Sequence, residues 1–153
     1  MRCYQLVGLP AAGKSTWITQ QDWTSACAYI STDHYVDRFA ARMGQTYNQV
    51  FQAVMPRAIR LMMRAVRRAQ ARGQDIVWDQ TNLTRASRAR KFRLLPEYQH
   101  VAVVFARPEA EEHARRLAAR PGKRIPDTVL ASMTQSYEPP DEGEGFGEIW
   151  YAQ

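Results

Sequence analysis

The sequence contains only two cysteines, Cys3 and Cys27, and they lie far apart without any C-x-x-C spacing. This scarcity excludes a disulfide framework and a zinc ribbon, and it favours a reducing, cytoplasmic setting. No apolar run approaches the roughly 20 residues that cross a bilayer, and the N-terminus lacks a basic leader. We therefore expect a protein that is neither exported nor anchored, with no membrane partner.

Internal repeats and low-complexity linkers are also missing from the chain. Its 153 residues are enough to bury a core without disulfides or a structural metal. The first predicted strand begins almost at Met1, so no further catalytic domain is expected before it. We predict a single domain over residues 1–153, and the pattern leaves the oligomeric state open.

Acidic residues are the minority among the charged ones. The chain has 21 Lys and Arg against 15 Asp and Glu, which gives a formal net charge of +6. A positive excess of this kind attracts polyanions through its long-range field. Polyanionic partners such as DNA or RNA are therefore favoured.

Short apolar runs alternate with amphipathic stretches along the chain. The predicted strands cover residues 3–7, 26–30, 75–78 and 101–106, and the tail ending at Tyr151 could return as an edge strand. The predicted helices cover residues 14–21, 47–72, 85–95, 109–119 and 127–137. Pro56 is expected to kink the longest helix and could break it. This alternation predicts a three-layer α/β fold with a mostly parallel sheet, whose ligands collect at the carboxyl ends of the strands.

A glycine-rich loop follows the first predicted strand. Gly8, Gly13, Lys14 and Ser15 match the pattern G-x-x-x-x-G-K-[ST], and the loop opens a predicted helix. In this context the backbone N–H groups surround the β-phosphate of a nucleoside triphosphate, and Lys14 reaches the β- and γ-oxygens. The Ser15 hydroxyl is the predicted protein ligand of Mg²⁺. The loop residues predicted to bind ATP are Gly8, Ala11, Ala12, Gly13, Lys14, Ser15 and Thr16.

Two aspartates end predicted strands, where they would face this loop. Asp33 follows the second strand, and Asp79 follows the apolar run 76–78. Phosphoryl transfer to a hydroxyl needs a carboxylate that orients the acceptor or takes its proton, and an acidic group that supports the metal. Asp33 is the candidate for the first role and Asp79 for the second. The alternatives stay open, with Asp33 as a helix N-cap and Asp79 as the start of a turn.

Arginine and lysine are concentrated between residues 57 and 93, where only Asp75 and Asp79 are acidic. On the long predicted helix they recur every three or four residues and share one face. This spacing is typical of a solvated helix surface, and it would also suit a nucleic acid. The basic residues of the segment are Arg57, Arg60, Arg64, Arg67, Arg68, Arg72, Arg85, Arg88, Arg90, Lys91 and Arg93.

A second basic segment, residues 115–126, combines a helix end with a loop that contains proline and glycine. Arg116 and Arg120 are four residues apart, so they would face the same way. Such a segment is typical of a helical lid that closes on a triphosphate, where arginines stabilise the charge on the transferring phosphoryl group. We predict that Arg116 and Arg120 contact the nucleotide and that Arg120 is also a catalytic residue.

Five blocks, spread over nearly the whole chain, carry a family resemblance. They are GLPAAGKSTW, STDHY, DQTNLTRASRARKF, RLAARPGKRIP and YEPPDEGEGFGEI. Together they resemble the kinase domain of phage and animal polynucleotide 5'-hydroxyl kinases, which are related to zeta-toxin and adenylate-kinase-like P-loop proteins. The resemblance implies that Lys14 and Ser15 bind ATP and Mg²⁺ and that Asp33 is the general base. It also implies that Asp79 supports the metal or the acceptor and that Arg120 contacts the donor phosphates.

The resemblance further implies transfer of the γ-phosphoryl group of ATP to a hydroxyl on DNA or RNA. One position departs from the pattern, because the phage enzymes hold the acceptor's 3'-phosphate with an arginine where this chain has Val36; Arg38 lies two residues further on. An alternative acceptor is therefore the hydroxymethyl group of a modified pyrimidine in DNA, such as 5-hydroxymethyluracil, as in phage base hypermodification. Two other functions stay open, a zeta-toxin-like small-molecule kinase and a non-catalytic ATP-binding module that binds nucleic acid.

Overall fold

Five strands form one sheet in the computed structural model, which describes residues 1–152. They are β1 (Arg2–Val7), β2 (Ala28–Ile30), β3 (Ile76–Trp78), β4 (Gln99–Phe105) and β5 (Glu148–Ala152). Their order is β2-β3-β1-β4-β5, and every neighbouring pair is parallel. The inner strands are mostly apolar and buried, as expected for a parallel sheet that is covered on both faces. The predicted α/β class is confirmed, and the closing segment does return as an edge strand.

Six α-helices connect these strands within residues 1–152. They are α1 (Lys14–Gln20), α2 (Thr32–Met43), α3 (Tyr47–Ala71), α4 (Arg85–Leu94), α5 (Ala110–Ala118) and α6 (Asp127–Gln135). Two 3₁₀ helices, Asp22–Ala26 and Glu142–Glu144, were not predicted, since such short turns have no apolar periodicity. None of the helices in the described part of the chain is both long and apolar enough to cross a bilayer.

Helix α3 is continuous through Pro56, so the possible break at this residue does not occur. The helix starts from a capping box, in which the Thr46 hydroxyl accepts a hydrogen bond from the Gln49 N–H while the Gln49 side chain accepts one from Thr46. Pro56 lies on the exposed side. The apolar residues Val50, Val54, Ala58, Met62, Val66 and Ala69 line the buried side along the whole length. Packing of this stripe outweighs the hydrogen bond that proline removes.

The helices cover the sheet in three layers, as predicted. On one face, Met62 and Val66 of α3 pack against Ile76 and Trp78 of β3. On the other face, Trp17 of α1 packs against residues of β1 and β4. Both sheet faces are therefore buried, and the carboxyl ends of β1, β2 and β3 remain accessible between the layers.

Two of the basic residues of α4 are buried, so the predicted basic surface is smaller than the sequence indicated. The side chain of Arg88 is 0% exposed, and it bonds both carboxylate oxygens of Glu144 at 2.7 and 2.8 Å. Arg88 also donates to the carbonyl oxygens of Asn82 (3.0 Å) and Leu83 (3.1 Å). It therefore fixes the loop that follows β3. Lys91, the second buried cation, lies over the Trp78 ring.

Replacing Glu144 with Gln should destabilise the protein strongly. The variant leaves the buried Arg88 guanidinium without a carboxylate, and such a loss costs about 3–5 kcal/mol of the free energy of unfolding. Urea denaturation of both proteins measures the difference. The exposed neighbour Glu142 has no ion pair within the described residues, so Glu142→Gln is the matched control and should change stability by less than about 0.5 kcal/mol. Equal effects of the two substitutions would contradict the role of this ion pair.

Candidate functional site

One large cleft opens at the carboxyl ends of β1, β2 and β3. Its volume is about 1730 Å³, which exceeds the roughly 300–1,000 Å³ of an ordinary small-molecule pocket. The predicted site residues that line it are Ala11, Ala12, Gly13, Lys14, Ser15, Thr16, Asp33, Asp79, Arg116 and Arg120. The folded chain therefore brings the glycine-rich loop, both aspartates and the two lid arginines to one place.

The glycine-rich loop turns sharply between β1 and α1. Ala11 and Gly13 have left-handed backbone conformations, with φ of 60° and 100°. Gly13 is the N-cap of α1 and supplies no side-chain oxygen to the first-turn N–H groups. These donors are therefore left for an anion. A Cβ on Gly13 would meet no atom within 4 Å, so its positive φ, rather than lack of space, requires glycine there.

Lys14 begins α1 and folds back over the loop. Its ammonium group donates hydrogen bonds to the carbonyl oxygens of Gly8 (2.8 Å) and Leu9 (2.7 Å). Burial lowers the pKa of Lys14 to about 8; the charges of the two cleft aspartates oppose this shift, and the charge of Arg120 adds to it. The lysine therefore lies within the electrostatic reach of Asp79, Asp33 and Arg120.

Gly8 lies beneath the cleft, unlike the other residues predicted to bind ATP. Its N–H donates to the carbonyl oxygen of Thr81 (3.0 Å). A Cβ on Gly8 would approach the Cβ of Phe105 to 2.9 Å, which is closer than real Cβ contacts. Gly8 therefore allows the loop to pack between β4 and the segment after β3, and its phosphate contact stays a prediction.

Asp79 follows β3 at the floor of the cleft. Its N–H donates to the carbonyl oxygen of Ile30 (2.8 Å), continuing the pairing of β2 with β3. Its carboxylate accepts a hydrogen bond from the Tyr29 hydroxyl at 2.6 Å. Burial raises the pKa of Asp79, while the Tyr29 hydrogen bond and the charge of Lys14 oppose that rise. The Asp79 carboxylate thus lines the cleft and bonds the Tyr29 hydroxyl, whereas an aspartate that starts a turn, the alternative, would bond the backbone that follows it.

Ser15 and Asp79 supply oxygen donors that fit Mg²⁺. The described residues contain no group of three or more His, Cys, Asp or Glu side chains arranged for a metal. Mg²⁺ needs no such group, because it binds through one or two protein oxygens and completes its shell with phosphate oxygens and water. The exposed Ser15 hydroxyl and the Asp79 carboxylate line the same cleft, so together they could hold the ion.

Asp33 lies in the first turn of α2, on the opposite wall. The N-cap of this helix is Ser31, whose hydroxyl accepts from the N–H of His34 (3.4 Å), so the N-cap alternative for Asp33 is wrong. The Asp33 carboxylate accepts from the Tyr47 hydroxyl at 2.7 Å. Its other oxygen lies 3.3 Å from the ammonium group of Lys123, which belongs to the predicted lid.

The lid loop, residues 119–126, is docked on the start of α3. The Asn48 side chain donates to the carbonyl oxygen of Arg124 and accepts from its N–H, both at 2.8 Å, and the Asn48 N–H donates to the carbonyl oxygen of Gly122 (3.0 Å). Lys123 lies 4.2 Å from the centre of the Tyr47 ring. These contacts place the lid loop beside Asp33.

The two predicted lid arginines have different surroundings. Arg116 forms an ion pair with Glu112, one turn earlier on α5. Arg120 has no ion pair within residues 1–152, and its charge acts on Lys14 across the cleft. Arg120 is therefore available to phosphate oxygens, as is Arg124, which also lines the cleft without an ion pair in the described residues.

Four residues that hold the aspartates or the lid were not predicted: Tyr29, Tyr47, Asn48 and Lys123. The Tyr29–Asp79 hydrogen bond joins residues 50 apart in sequence, and the Tyr47–Asp33 bond joins residues 14 apart. Tyr29 lies near the end of a predicted strand, and this position alone is a weak indication that its hydroxyl contacts a residue of the site. Lys123 lay within the predicted lid, but nothing in the sequence indicated that it would contact Asp33.

The arginine face of α3 points away from the cleft. Arg57, Arg60, Arg64, Arg67 and Arg68 are exposed, do not line the cleft and pair with no carboxylate in the described residues. The guanidinium of Arg57 lies 5.0 Å from the centre of the Phe39 ring. This geometry is that of a solvated helix surface. The sequence had allowed this interpretation beside that of a surface for nucleic acid.

The family profile described as AAA domain (AAA_33) matches residues 4–140. A candidate kinase from Chloroflexus aurantiacus has a similar structure, with a TM-score of 0.70 and 16% identity, over 99% of this chain and 84% of that one. Kti12 of Chaetomium thermophilum, solved with ADP-AlF3, has a TM-score of 0.60 and 18% identity, over 98% of this chain and 88% of that one. Shikimate kinase of Aquifex aeolicus has a TM-score of 0.53 and 16% identity, over 99% of this chain and 86% of that one. The chain thus has a P-loop kinase-like fold, and the specific relation to polynucleotide kinases stays a prediction.

Nucleotide binding should take up protons at pH 8. Because burial lowers the pKa of Lys14 to about 8, about half of the free protein has lost this proton at that pH. Phosphate oxygens favour the charged lysine, so binding of MgADP should restore up to about half a proton. Calorimetric titrations in two buffers with different ionisation enthalpies measure this uptake. Lys14→Arg keeps a charge that does not titrate in this range, and uptake that persists in this control would contradict the assignment.

Replacing Asn48 with Ala should release the lid loop. The substitution removes both side-chain hydrogen bonds to Arg124, so protection of the Arg124 amide from hydrogen exchange should fall about ten-fold or more. Hydrogen exchange of the lid, resolved to single amides by NMR, is the measurement. Gln52→Ala, one turn later on α3, is the control and should leave this protection unchanged. Unaltered protection in Asn48→Ala would show that other contacts hold the lid.

Proposed function

This chain belongs to the AAA_33 family of AAA domains, and from that premise we propose that it is an ATP-dependent kinase whose acceptor is a hydroxyl on nucleic acid. The proposal treats residues 1–153 as one P-loop kinase domain with a lid at about 115–126. ATP is the phosphoryl donor and Mg²⁺ its metal partner. The family and the fold support the phosphotransferase class, and the cleft supports the choice of acceptor.

The observation that carries the proposal is the meeting of Lys14, Asp79 and Asp33 around one cleft. A cation at the loop that encloses phosphate, a partly buried carboxylate near it and a more accessible second carboxylate are the three groups that transfer of a phosphoryl group to a hydroxyl requires. Catalysis of this kind is mainly positioning and neutralisation of charge.

Each residue has a role under this proposal. The loop N–H groups, Lys14 and Thr16 bind the β- and γ-phosphates, and Ser15 with Asp79 holds Mg²⁺, which would neutralise charge on the phosphates. Asp33 accepts the proton of the attacking hydroxyl. Its position supports this role, because half of its side chain is exposed, at 49%, and Tyr47 fixes one of its oxygens. Arg120, with Arg116, neutralises charge on the phosphoryl group.

The size and charge of the cleft favour an acceptor that is larger than a metabolite. Its volume of about 1730 Å³ leaves space beyond one nucleotide. Val36, at the position where phage polynucleotide kinases hold the acceptor's 3'-phosphate, is 0% exposed and packs between α2 and α3. Val36 itself does not line the cleft. We therefore favour a hydroxymethyl group on a base within DNA over a terminal 5'-hydroxyl.

A small-molecule acceptor is the second candidate. Shikimate kinase has the same fold, and the α3 wall of the cleft offers the neutral amide of Gln52 beside Met55. An amide of this kind suits a hydroxyl-rich acceptor. This function would predict turnover with little dependence on salt, whereas a nucleic-acid kinase should weaken steeply as salt rises.

Labelled ATP, offered with separate panels of acceptors, tests the proposal. The panels are 5'-hydroxyl oligonucleotides, DNA containing 5-hydroxymethyluracil, and free nucleosides and sugars. We expect label on nucleic acid, with hydroxymethyl DNA the best acceptor. Label only on small molecules would favour the second candidate, and label on no acceptor would leave a non-catalytic ATP-binding module.

The Asp33→Asn variant should bind MgATP with unchanged affinity while losing at least about 100-fold in kcat, because the amide cannot accept the proton. Lys14→Ala should lose both binding and transfer. Asp37→Asn is the control, since Asp37 also contacts Lys123 but has no proposed role in proton transfer. A fully active Asp33→Asn protein would refute the assignment of the base.

A further inference from the structure

Residues of α3 and α4 line part of the same cleft, which we call the α3–α4 groove. The residues that line this α3–α4 groove are Gln52 and Met55 on α3, Gln80 and Thr81 after β3, and Ser87, Arg90 and Lys91 on α4. Two hydrogen bonds run from Trp78, over whose ring Lys91 lies, to Thr32, the residue before the proposed base. The Trp78 indole N–H donates to the Gln80 side chain (2.9 Å), whose amide donates to the Thr32 hydroxyl (3.4 Å), next to Asp33. The groove therefore opens on the acceptor side of the cleft.

Lys91 is a buried cation without a carboxylate. Its relative exposure is 6%, and its ammonium group donates a hydrogen bond to the carbonyl oxygen of Ser87 (3.0 Å). It also lies 5.4 Å from the centre of the Trp78 ring. No Asp or Glu forms an ion pair with it within residues 1–152. A buried charge that is not compensated is costly, and such groups are enriched at functional sites.

Arg90 adds a second cation to the same wall. It is exposed, lines the groove and forms no ion pair within the described residues. Burial and the charge of Arg90 lower the pKa of Lys91 to about 8, so the pair would be stabilised by an anion between them.

Two of the three other cations of α4 have acidic partners, and the third, Arg93, is exposed and does not line the groove. Arg85 pairs with Asp141, and Arg88 pairs with Glu144, both from the acidic segment that precedes β5. The three carboxylates of the cleft are engaged elsewhere, since Asp33 and Asp79 accept hydrogen bonds from tyrosines and Asp37 contacts Lys123. The two cations that face the groove are thus left for an anion that the protein itself does not supply.

We propose that Arg90 and Lys91 bind a phosphate group of the acceptor in the α3–α4 groove. This inference rests on the proposed function, and it identifies the acceptor as one that carries a phosphate near its reactive hydroxyl. A phosphodiester of an oligonucleotide and a phosphomonoester of a small metabolite share this chemistry. In phage polynucleotide kinases an arginine at the position of Val36 binds the acceptor's phosphate. In this chain Arg90 and Lys91 would bind it instead.

Binding of matched acceptors, measured with the glycine-rich loop filled by a non-hydrolysable MgATP analogue, tests the subsite. The probe is a trinucleotide with a central 5-hydroxymethyluracil, made with either charged phosphodiester or neutral methylphosphonate linkages. We expect the wild-type protein to bind the charged form about 100-fold more tightly. Arg90→Gln and Lys91→Met should each remove about ten-fold of this preference, as loss of one charged hydrogen bond predicts. Each should also reduce the slope of log Kd against log salt by about one.

Arg93→Gln is the matched control, because Arg93 is exposed on the same helix but does not line the groove. It removes the same charge and should change the preference less than about two-fold. Arg90 is exposed, so its substitution does not threaten the fold. Equal effects of Arg90→Gln and Arg93→Gln, or a preference that survives in the Arg90→Gln/Lys91→Met double variant, would overturn the subsite.

These outcomes separate the subsite from the proposed function. If hydroxymethyl DNA is phosphorylated but the charged and neutral probes bind alike, the kinase activity stands and the phosphate subsite is wrong. If no nucleic acid is phosphorylated while a nucleoside monophosphate binds more tightly than its nucleoside through Arg90 and Lys91, the subsite stands for a small phosphorylated acceptor. In that case the nucleic-acid function fails.

Discussion

The site depends on keeping one ammonium group charged where little water reaches it. Lys14 is held by two loop carbonyl oxygens, and burial lowers its pKa to about 8. The negative charges of Asp79 and Asp33 oppose this lowering of the pKa. These three residues come from separate segments, and the parallel sheet brings them together because β1, β2 and β3 all end at the same edge. The fold therefore supplies the charge balance that the lysine needs.

Charge pairing divides the cations of this basic chain into structural and available ones. Arg88 is fully buried against Glu144 and holds the loop after β3, and Arg116 is paired with Glu112 on its own helix. Arg120 and the groove cations Arg90 and Lys91 have no such partners among residues 1–152. They face the cleft, whereas the arginine face of α3 points to solvent. Net charge alone overstates the basic surface. The cations of the cleft that lack a carboxylate partner are the ones available to bind an anion.

Local patterns were enough to predict most of the fold and the residues of the cleft. Features that depend on residues close together in the chain could be predicted from the sequence. They are the strand before Gly8, the helix after Gly13 and the aspartates at the strand ends. Contacts between distant segments were not predictable. The Arg88–Glu144 pair joins residues 56 apart, and Asn48 meets Arg124 across 76 residues. The possible break at Pro56 does not occur, because tertiary packing of α3 outweighs one missing hydrogen bond.

The environments of Asp33 and Asp79 suit different tasks. Each accepts a hydrogen bond from a tyrosine, but Asp79 is the more buried and sits beside Lys14, while Asp33 is half exposed. Tyr47 occupies one oxygen of Asp33, and Lys123 lies 3.3 Å from the other, longer than a strong charged hydrogen bond of about 2.7–2.9 Å. A hydroxyl that uses Asp33 as its base must share this second oxygen with Lys123. Lys123 belongs to the docked lid loop, so under the proposed function the acceptor hydroxyl and the lid would compete for this one carboxylate oxygen.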